Sequence, residues 1–157
     1  MTIYNFAAGP ATLPAAVLQE AQRDLTELPG MGMSLLEMSH RSKPVVEMID
    51  RAEEDIRQLA GIPDNYRVLF LQGGASLQFS MVPMNLLTPN GKADHIVTGN
   101  FAKLALQDAQ KVGDIRLAGS TEDSNFDHIP SQDELDLDPG ADYVHFTGNN
   151  TIYGTEW

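Results

Sequence analysis

The chain has 157 residues and no cysteine, and its 22 acidic side chains outnumber 10 basic ones to give a net charge of −12. A body this negative repels nucleic acid and anionic membrane, both of which are bound through basic patches. Without cysteine there are no disulfides, no thiol catalysis and no cysteine-ligated metals. With 42% hydrophobic residues and no apolar run long enough to cross a bilayer, a soluble globular protein is expected. Met1 to Phe6 carry neither a basic start nor an apolar signal core, so no export is expected and a cytoplasmic location is.

An extended arm containing Gly9-Pro10 leads to a helix near Pro14, with Thr12 or a neighbour as cap and Val17, Leu18, Ala21, Leu25 and Leu28 at helical spacing. Pro29-Gly30 ends it. Met31 to Arg41 have no clean period and read as a packed irregular loop. A second helix follows Ser42 as cap, with Pro44 in its first turn and Val45, Met48, Ile49, Ala52, Ile56 and Leu59 on one face, and stops at Gly61-Ile62-Pro63.

From Tyr66 strands and helices alternate. Strands are expected at Arg67 to Leu71, Asp94 to Thr98, Ile115 to Ala118 and Tyr143 to Phe146. Helices are expected at Ser76 to Leu87, interrupted by Pro83, and at Phe101 to Val112. This order predicts an α/β fold with a mostly parallel sheet flanked by helices, in which ligands collect where strands end and helices begin. The acidic stretch Ser120 to Gly140 reads as a surface excursion with one short helix after Ser131. The chain stops at Trp157 just after a strand and a polar loop, which reads as the front part of something larger.

Three strand-to-loop junctions can contribute to one site. At Gln72-Gly73-Gly74-Ala75-Ser76 a glycine turn opens a helix after an apolar run. It is either a sterically required turn or a phosphate cup, since free amides and aligned dipoles at a helix start favour an anion. At Thr98-Gly99-Asn100-Phe101, Phe101 is either a packed aromatic or a face over a flat ligand. Thr147 to Thr151 supply small hydrogen-bonding groups, as turn chemistry or as ligand contacts. Outside the sheet, Ser39-His40-Arg41-Ser42 is either a solvated loop before a helix or a carboxylate-recognition cluster, for which the Arg fork is suited. His95, His128 and His145 stand at non-motif spacing, so neither a metal site nor a serine hydrolase is expected.

Taken together, Phe6-Ala7-Ala8-Gly9-Pro10, Met38-Ser39-His40-Arg41-Ser42, Gly73 to Phe79, Pro83-Met84-Asn85-Leu86 and Asn149 to Gly154 fall in the order and spacing of the phosphoserine aminotransferase family. The chain resembles that family along essentially its whole length. The resemblance implies the class V branch of the fold-type I pyridoxal-phosphate enzymes. Residues 1–15 would be an N-terminal arm and 16–157 the first part of the large cofactor-binding domain, without its remainder and without the C-terminal small domain. It also implies pyridoxal 5'-phosphate as cofactor, L-glutamate and 3-phosphohydroxypyruvate as substrates in serine biosynthesis, a related substrate of pyridoxine biosynthesis in some members, and a homodimer.

By the same resemblance, Ala75 and Ser76 hold the cofactor phosphate, Phe101 occupies the place of a tryptophan stacked on the pyridine ring, and Thr151 contacts the ring hydroxyl. His40 and Arg41 match a pair that receives substrate anions at the neighbouring subunit's site. Phenylalanine at 101 offers less stacking area than tryptophan and no indole donor. The family's Schiff-base lysine, the aspartate pairing the pyridine nitrogen and several substrate arginines lie beyond residue 157. Lys43, Lys92, Lys103 and Lys111 sit in none of the family's lysine motifs. No catalytic residue is therefore expected within the chain, which carries the cofactor-phosphate half of the site and is expected to be inactive alone.

Overall fold

The structure, a computed structural model, describes residues 3–6 and 11–157, so Gly9-Pro10 of the arm lies outside the described residues. The chain divides into two compact units, Met1–Phe70 and Leu71–Trp157.

In the first unit, α1 (Ala15–Thr26) starts from Pro14, whose fixed φ suits a helix entry. Thr12 does not cap it. Its hydroxyl is engaged by Asn5 instead, accepting from the Asn5 amide at 2.7 Å and donating to the Asn5 carbonyl at 3.0 Å. The irregular segment that follows contains one 3-10 turn, Leu35–Glu37, closed by reciprocal bonds between Ser34 and Glu37. Helix α2 (Lys43–Ala60) begins after Ser42 and ends at Gly61. The Ser42 hydroxyl donates to the Ser39 carbonyl at 2.7 Å rather than capping the helix. Neither helix has a fully buried residue.

The second unit contains the sheet. Strands β1 (Lys92–Val97), β2 (Asp114–Ser120) and β3 (Val144–His145) are parallel in the order β2-β1-β3. Helix α4 (Asn100–Ala109) makes the crossover from β1 to β2 and packs on both, as a parallel pair requires. It presents Ala102, Ala105 and Ala109, all buried, and these small side chains let the helix lie close to the sheet. The core forms two clusters: Ala93, Ala109 and Ile115 with Leu87, Leu106 and Tyr143, and Val97, Ala102 and Phe126 with Leu106 and Tyr153.

As the central strand, β1 is buried from Ala93 onward, whereas edge strand β2 buries only Ile115 and Ala118. Those two stand three residues apart because the register shifts between His95 and Ile96, leaving Ala118 as an extra residue on the edge. A final antiparallel ladder joins β4 (Asn149–Asn150) and β5 (Thr155–Glu156).

Three expectations are corrected. Arg67 to Leu71 form no strand: no described residue pairs with them, and Leu69, Phe70 and Leu71 are 70%, 56% and 54% exposed. An apolar run becomes a strand only where neighbouring backbone takes up its N–H and C=O groups. Helix α3 (Gly74–Leu86) starts two residues before Ser76 and continues through Pro83. The proline ring is buried, and the helix resumes with the Leu87 amide bonded to the Pro83 carbonyl. The acidic stretch is anchored rather than merely laid on the surface. Phe126 is 4% exposed, the Asp136 amide bonds the Ala118 carbonyl at 2.7 Å, and the Asp138 amide bonds the Asp94 carboxylate at 2.5 Å. It contains two 3-10 turns, Glu122–Ser124 and Gln132–Glu134.

Candidate active site

Two of the junctions singled out in the sequence meet at the C-terminal ends of β1 and β3. A narrow crevice there, with no room for a water molecule, is lined by Asn100, Phe101, Asn150, Thr151, Ile152 and Tyr153. Phe101 lies at the second position of α4 and is 47% exposed, so its ring is not consumed by the core. Thr151 follows β4 directly and is exposed. The structure thus brings Phe101 and Thr151, fifty residues apart in sequence, to one cleft.

The loops bearing these residues are bonded to each other. The Asn150 side chain, 4% exposed, donates through Nδ2 to Thr98 Oγ1 at 3.1 Å and to the Thr155 carbonyl at 3.4 Å. The Tyr153 hydroxyl donates to Asn100 Oδ1 at 3.1 Å, and the Tyr153 ring meets the buried Phe126 ring with centroids 4.8 Å apart. Gly99 is needed for this closeness, because a Cβ there would lie 2.5 Å from Asn150 Oδ1. The Asn150–Thr98 and Tyr153–Asn100 ties were not legible beforehand, since they join residues 52 and 53 positions apart.

Ala75 and Ser76 lie in the first turn of α3, exposed, and no side chain caps that turn. The chain enters it through Gly73 at φ +87° and Gly74 at φ +60°, a left-handed pair that turns the backbone sharply into the helix. The steric demand falls on Gly73, where a Cβ would sit 2.4 Å from Leu77 Cδ2, whereas a Cβ at Gly74 meets nothing within 4 Å. Helix α3 packs on α4, and Phe79 meets the His145 ring edge-on at 6.4 Å.

The cations of this unit are already engaged: Lys92 with Asp138, Lys103 with Glu122, Lys111 with Asp108 and Arg116 with Asp94. An anion at the α3 start is therefore left to the backbone amides and the helix dipole. His40 and Arg41 lie in the Met1–Phe70 unit, exposed, between the 3-10 turn and α2. The Arg41 amide donates to the Ser39 hydroxyl at 3.2 Å.

Within β1, Asp94 is fully buried and accepts from Arg116 Nε at 2.8 Å as well as from the Asp138 amide. Next to it, His95 is 2% exposed and stacks on His145 with ring centroids 4.5 Å apart. Burial, followed by the neighbouring His145, lowers the His95 pKa to about 4. Burial also lowers that of His145. No cluster of metal-ligating side chains occurs among the described residues, and no helix among them is long and apolar enough to cross a membrane.

Phe101 and Thr151 thus share one strand-end crevice, whereas Ala75 and Ser76, at the uncapped start of α3, do not line it. The family model described as Aminotransferase class-V matches residues 3–157, and the chain belongs to that family. A phosphoserine aminotransferase of Laribacter hongkongensis is 54% identical over 157 residues, which is all of this chain and 44% of that protein. Among solved structures, the phosphoserine aminotransferase of Bacillus circulans subsp. alkalophilus is 43% identical with a TM-score of 0.90, covering 98% of this chain and 43% of that one. The PLP-bound phosphoserine aminotransferase of Trichomonas vaginalis is 34% identical with a TM-score of 0.90, covering 98% of this chain and 44% of that one. The chain spans less than half the length of these relatives.

Proposed function

We propose that the chain works as the leading portion of a phosphoserine aminotransferase. The enzyme moves the amino group of L-glutamate to 3-phosphohydroxypyruvate, giving 2-oxoglutarate and phosphoserine for serine biosynthesis. It acts as a cytoplasmic homodimer, and a related phosphorylated keto acid of pyridoxine biosynthesis is a second acceptor. The observation that carries this reading is the 54% identity to the Laribacter hongkongensis protein across all 157 residues.

The 71–157 unit fits pyridoxal 5'-phosphate in its donor set: an uncapped helix start, an exposed aromatic face, and a hydroxyl lining the same cleft as that face. In this reading the Ala75 and Ser76 amides, helped by the Ser76 hydroxyl, hold the phosphate. Phe101 covers one face of the ring and keeps water off it, and the Thr151 hydroxyl bonds the ring hydroxyl. When bound, pyridoxal phosphate supplies the electron sink that lets a proton leave the amino-acid carbon. His40 and Arg41 receive a substrate anion at the neighbouring subunit's site, where the planar guanidinium grips a carboxylate or phosphate through two parallel bonds. The lysine that moves the proton is supplied from beyond residue 157, so residues 1–157 alone bind the cofactor reversibly and do not transaminate.

Titration of the full-length protein with pyridoxal phosphate, ATP and NAD tests this reading. Saturable binding of pyridoxal phosphate alone is expected, whereas binding of ATP or NAD in its place overturns the reading. Phe101→Trp keeps or tightens cofactor binding by enlarging the stacked area. Phe101→Ala weakens it by about 1 kcal/mol or more, roughly fivefold in dissociation constant.

A further inference from the structure

The two loops that carry Phe101 and Thr151 are tied to each other at two points, which lie just before Phe101 on one loop and on either side of Thr151 on the other. On the first loop the bonded groups are Thr98 Oγ1 and Asn100 Oδ1, immediately before Phe101. On the second they are Asn150 Nδ2 and the Tyr153 hydroxyl, on either side of Thr151 and Ile152. Asn150 also reaches the Thr155 carbonyl, and its own carbonyl accepts the Tyr153 and Gly154 amides at 3.1 and 2.8 Å, so the second loop is wound around this one residue.

The first tie is buried. Thr98 has no exposed surface and Asn150 is 4% exposed, so the bond between them is shielded from water. Gly99 permits this approach, since any side chain there would occupy the space of Asn150 Oδ1. The second tie is more exposed but is backed by the edge-on contact of Tyr153 with Phe126. Neither pair is needed to form the sheet: the parallel ladder runs through β1, β2 and β3 without them.

We infer that Asn150 and Tyr153 are positioning residues, which hold the aromatic face of Phe101 and the hydroxyl of Thr151 at a fixed separation across the cleft. The inference rests on the proposed pyridoxal-phosphate reading of that cleft. A flat ring gripped by a face on one loop and a hydroxyl on the other is bound well only while the two loops keep their spacing. Misplacement by an ångström forfeits much of a stacking contact or a hydrogen bond. The clamp orders both loops before the ligand arrives, so less ordering has to be supplied on binding.

The test is a double-mutant cycle on the full-length protein, reading the pyridoxal-phosphate dissociation constant, with the melting temperature of the cofactor-free protein measured alongside. Tyr153→Phe removes one hydroxyl and keeps the packing on Phe126, so it is the gentle variant, and Asn150→Ala is the severe one. Tyr153→Phe is expected to raise the dissociation constant roughly three- to tenfold, the range for losing one hydrogen bond, and Asn150→Ala, which loses the bonds to both Thr98 and Thr155, by more. In a Phe101→Ala background Tyr153→Phe is expected to have a smaller effect, because the face it positions is gone. Equal effects of Tyr153→Phe in the Phe101 and Phe101→Ala backgrounds, or an effect on melting temperature with none on the dissociation constant, would overturn the inference. Failure of the wild type to bind pyridoxal phosphate, or indifference of its affinity to Phe101→Ala, would instead overturn the functional reading and the inference with it.

Discussion

His95 and His145 are register partners across the β1–β3 ladder, and their rings stack with centroids 4.5 Å apart and planes within 15°. Both ring nitrogens of His95 and the Nδ1 of His145 are buried without a hydrogen-bond partner. Two imidazoles stacked this way are tolerated only while neutral.

Acid therefore weakens this edge of the sheet. His95 titrates near 4 in the folded protein against 6.5 ordinarily, with Asp94 opposing the shift, so the unfolded chain takes up its proton first as pH falls. The His95 contribution is complete above pH 6.5, declines on the way to about 4, and changes no further below that. Its size is on the order of 3 kcal/mol. Urea midpoints of wild type and His95→Phe at pH 7.5 and pH 5 check this. The wild type is expected to lose more stability than the variant, and equal losses would remove His95 as the cause.

The glycine turn makes a second prediction. Gly73→Ala combines a left-handed φ with a Cβ 2.4 Å from Leu77 Cδ2, whereas Gly74→Ala meets only the left-handed φ. Gly74→Ala is expected to cost about 1 kcal/mol and Gly73→Ala about 2 kcal/mol or more, read from urea midpoints. Gly73→Ala is also expected to weaken pyridoxal-phosphate binding more. The opposite ranking would contradict the steric demand at Gly73, since Leu77 Cβ, 2.6 Å from the added Cβ, cannot be rotated away.

How far the sequence predicts this fold depends on how local each signal is. Helix α2 is legible because periodicity, a proline near its start and a glycine at its end act within one element, and strand β1 and helix α4 because an apolar run and helical spacing do. Arg67 to Leu71 misled because an apolar run supplies neither the backbone that would pair with it nor the surface that would bury it, and Leu69 to Leu71 are more than half exposed. Helix α3 looked interrupted because Pro83 lacks an amide, yet one missing bond does not end a helix whose proline ring is buried. Strands β4 and β5 are two residues each, too short for any alternation to register. In the site, Phe101 and Thr151 are visible as residue types at strand ends. The Asn150 and Tyr153 ties, the His95 stack and the Asp94–Arg116 pair depend on register between distant segments, which no local pattern encodes.

Substrate recognition supplies a third prediction. If Arg41 receives a substrate anion, Arg41→Ala in the full-length protein raises the KM for both glutamate and the phosphorylated keto acid and leaves cofactor absorbance and affinity nearly unchanged. Arg41→Lys restores part of the loss at best, because an ammonium cannot reproduce the planar fork. Unchanged KM values in Arg41→Ala would reduce His40 and Arg41 to a solvated loop before α2.

The most direct measurement is turnover by the full-length protein, followed as 2-oxoglutarate formed from L-glutamate with 3-phosphohydroxypyruvate as acceptor and with unphosphorylated hydroxypyruvate as control. The account predicts pyridoxal-phosphate-dependent turnover with strong preference for the phosphorylated acceptor, and none from residues 1–157 alone. Glutamate-dependent turnover by residues 1–157, or a full-length protein that fails to use 3-phosphohydroxypyruvate when loaded with pyridoxal phosphate, would contradict it.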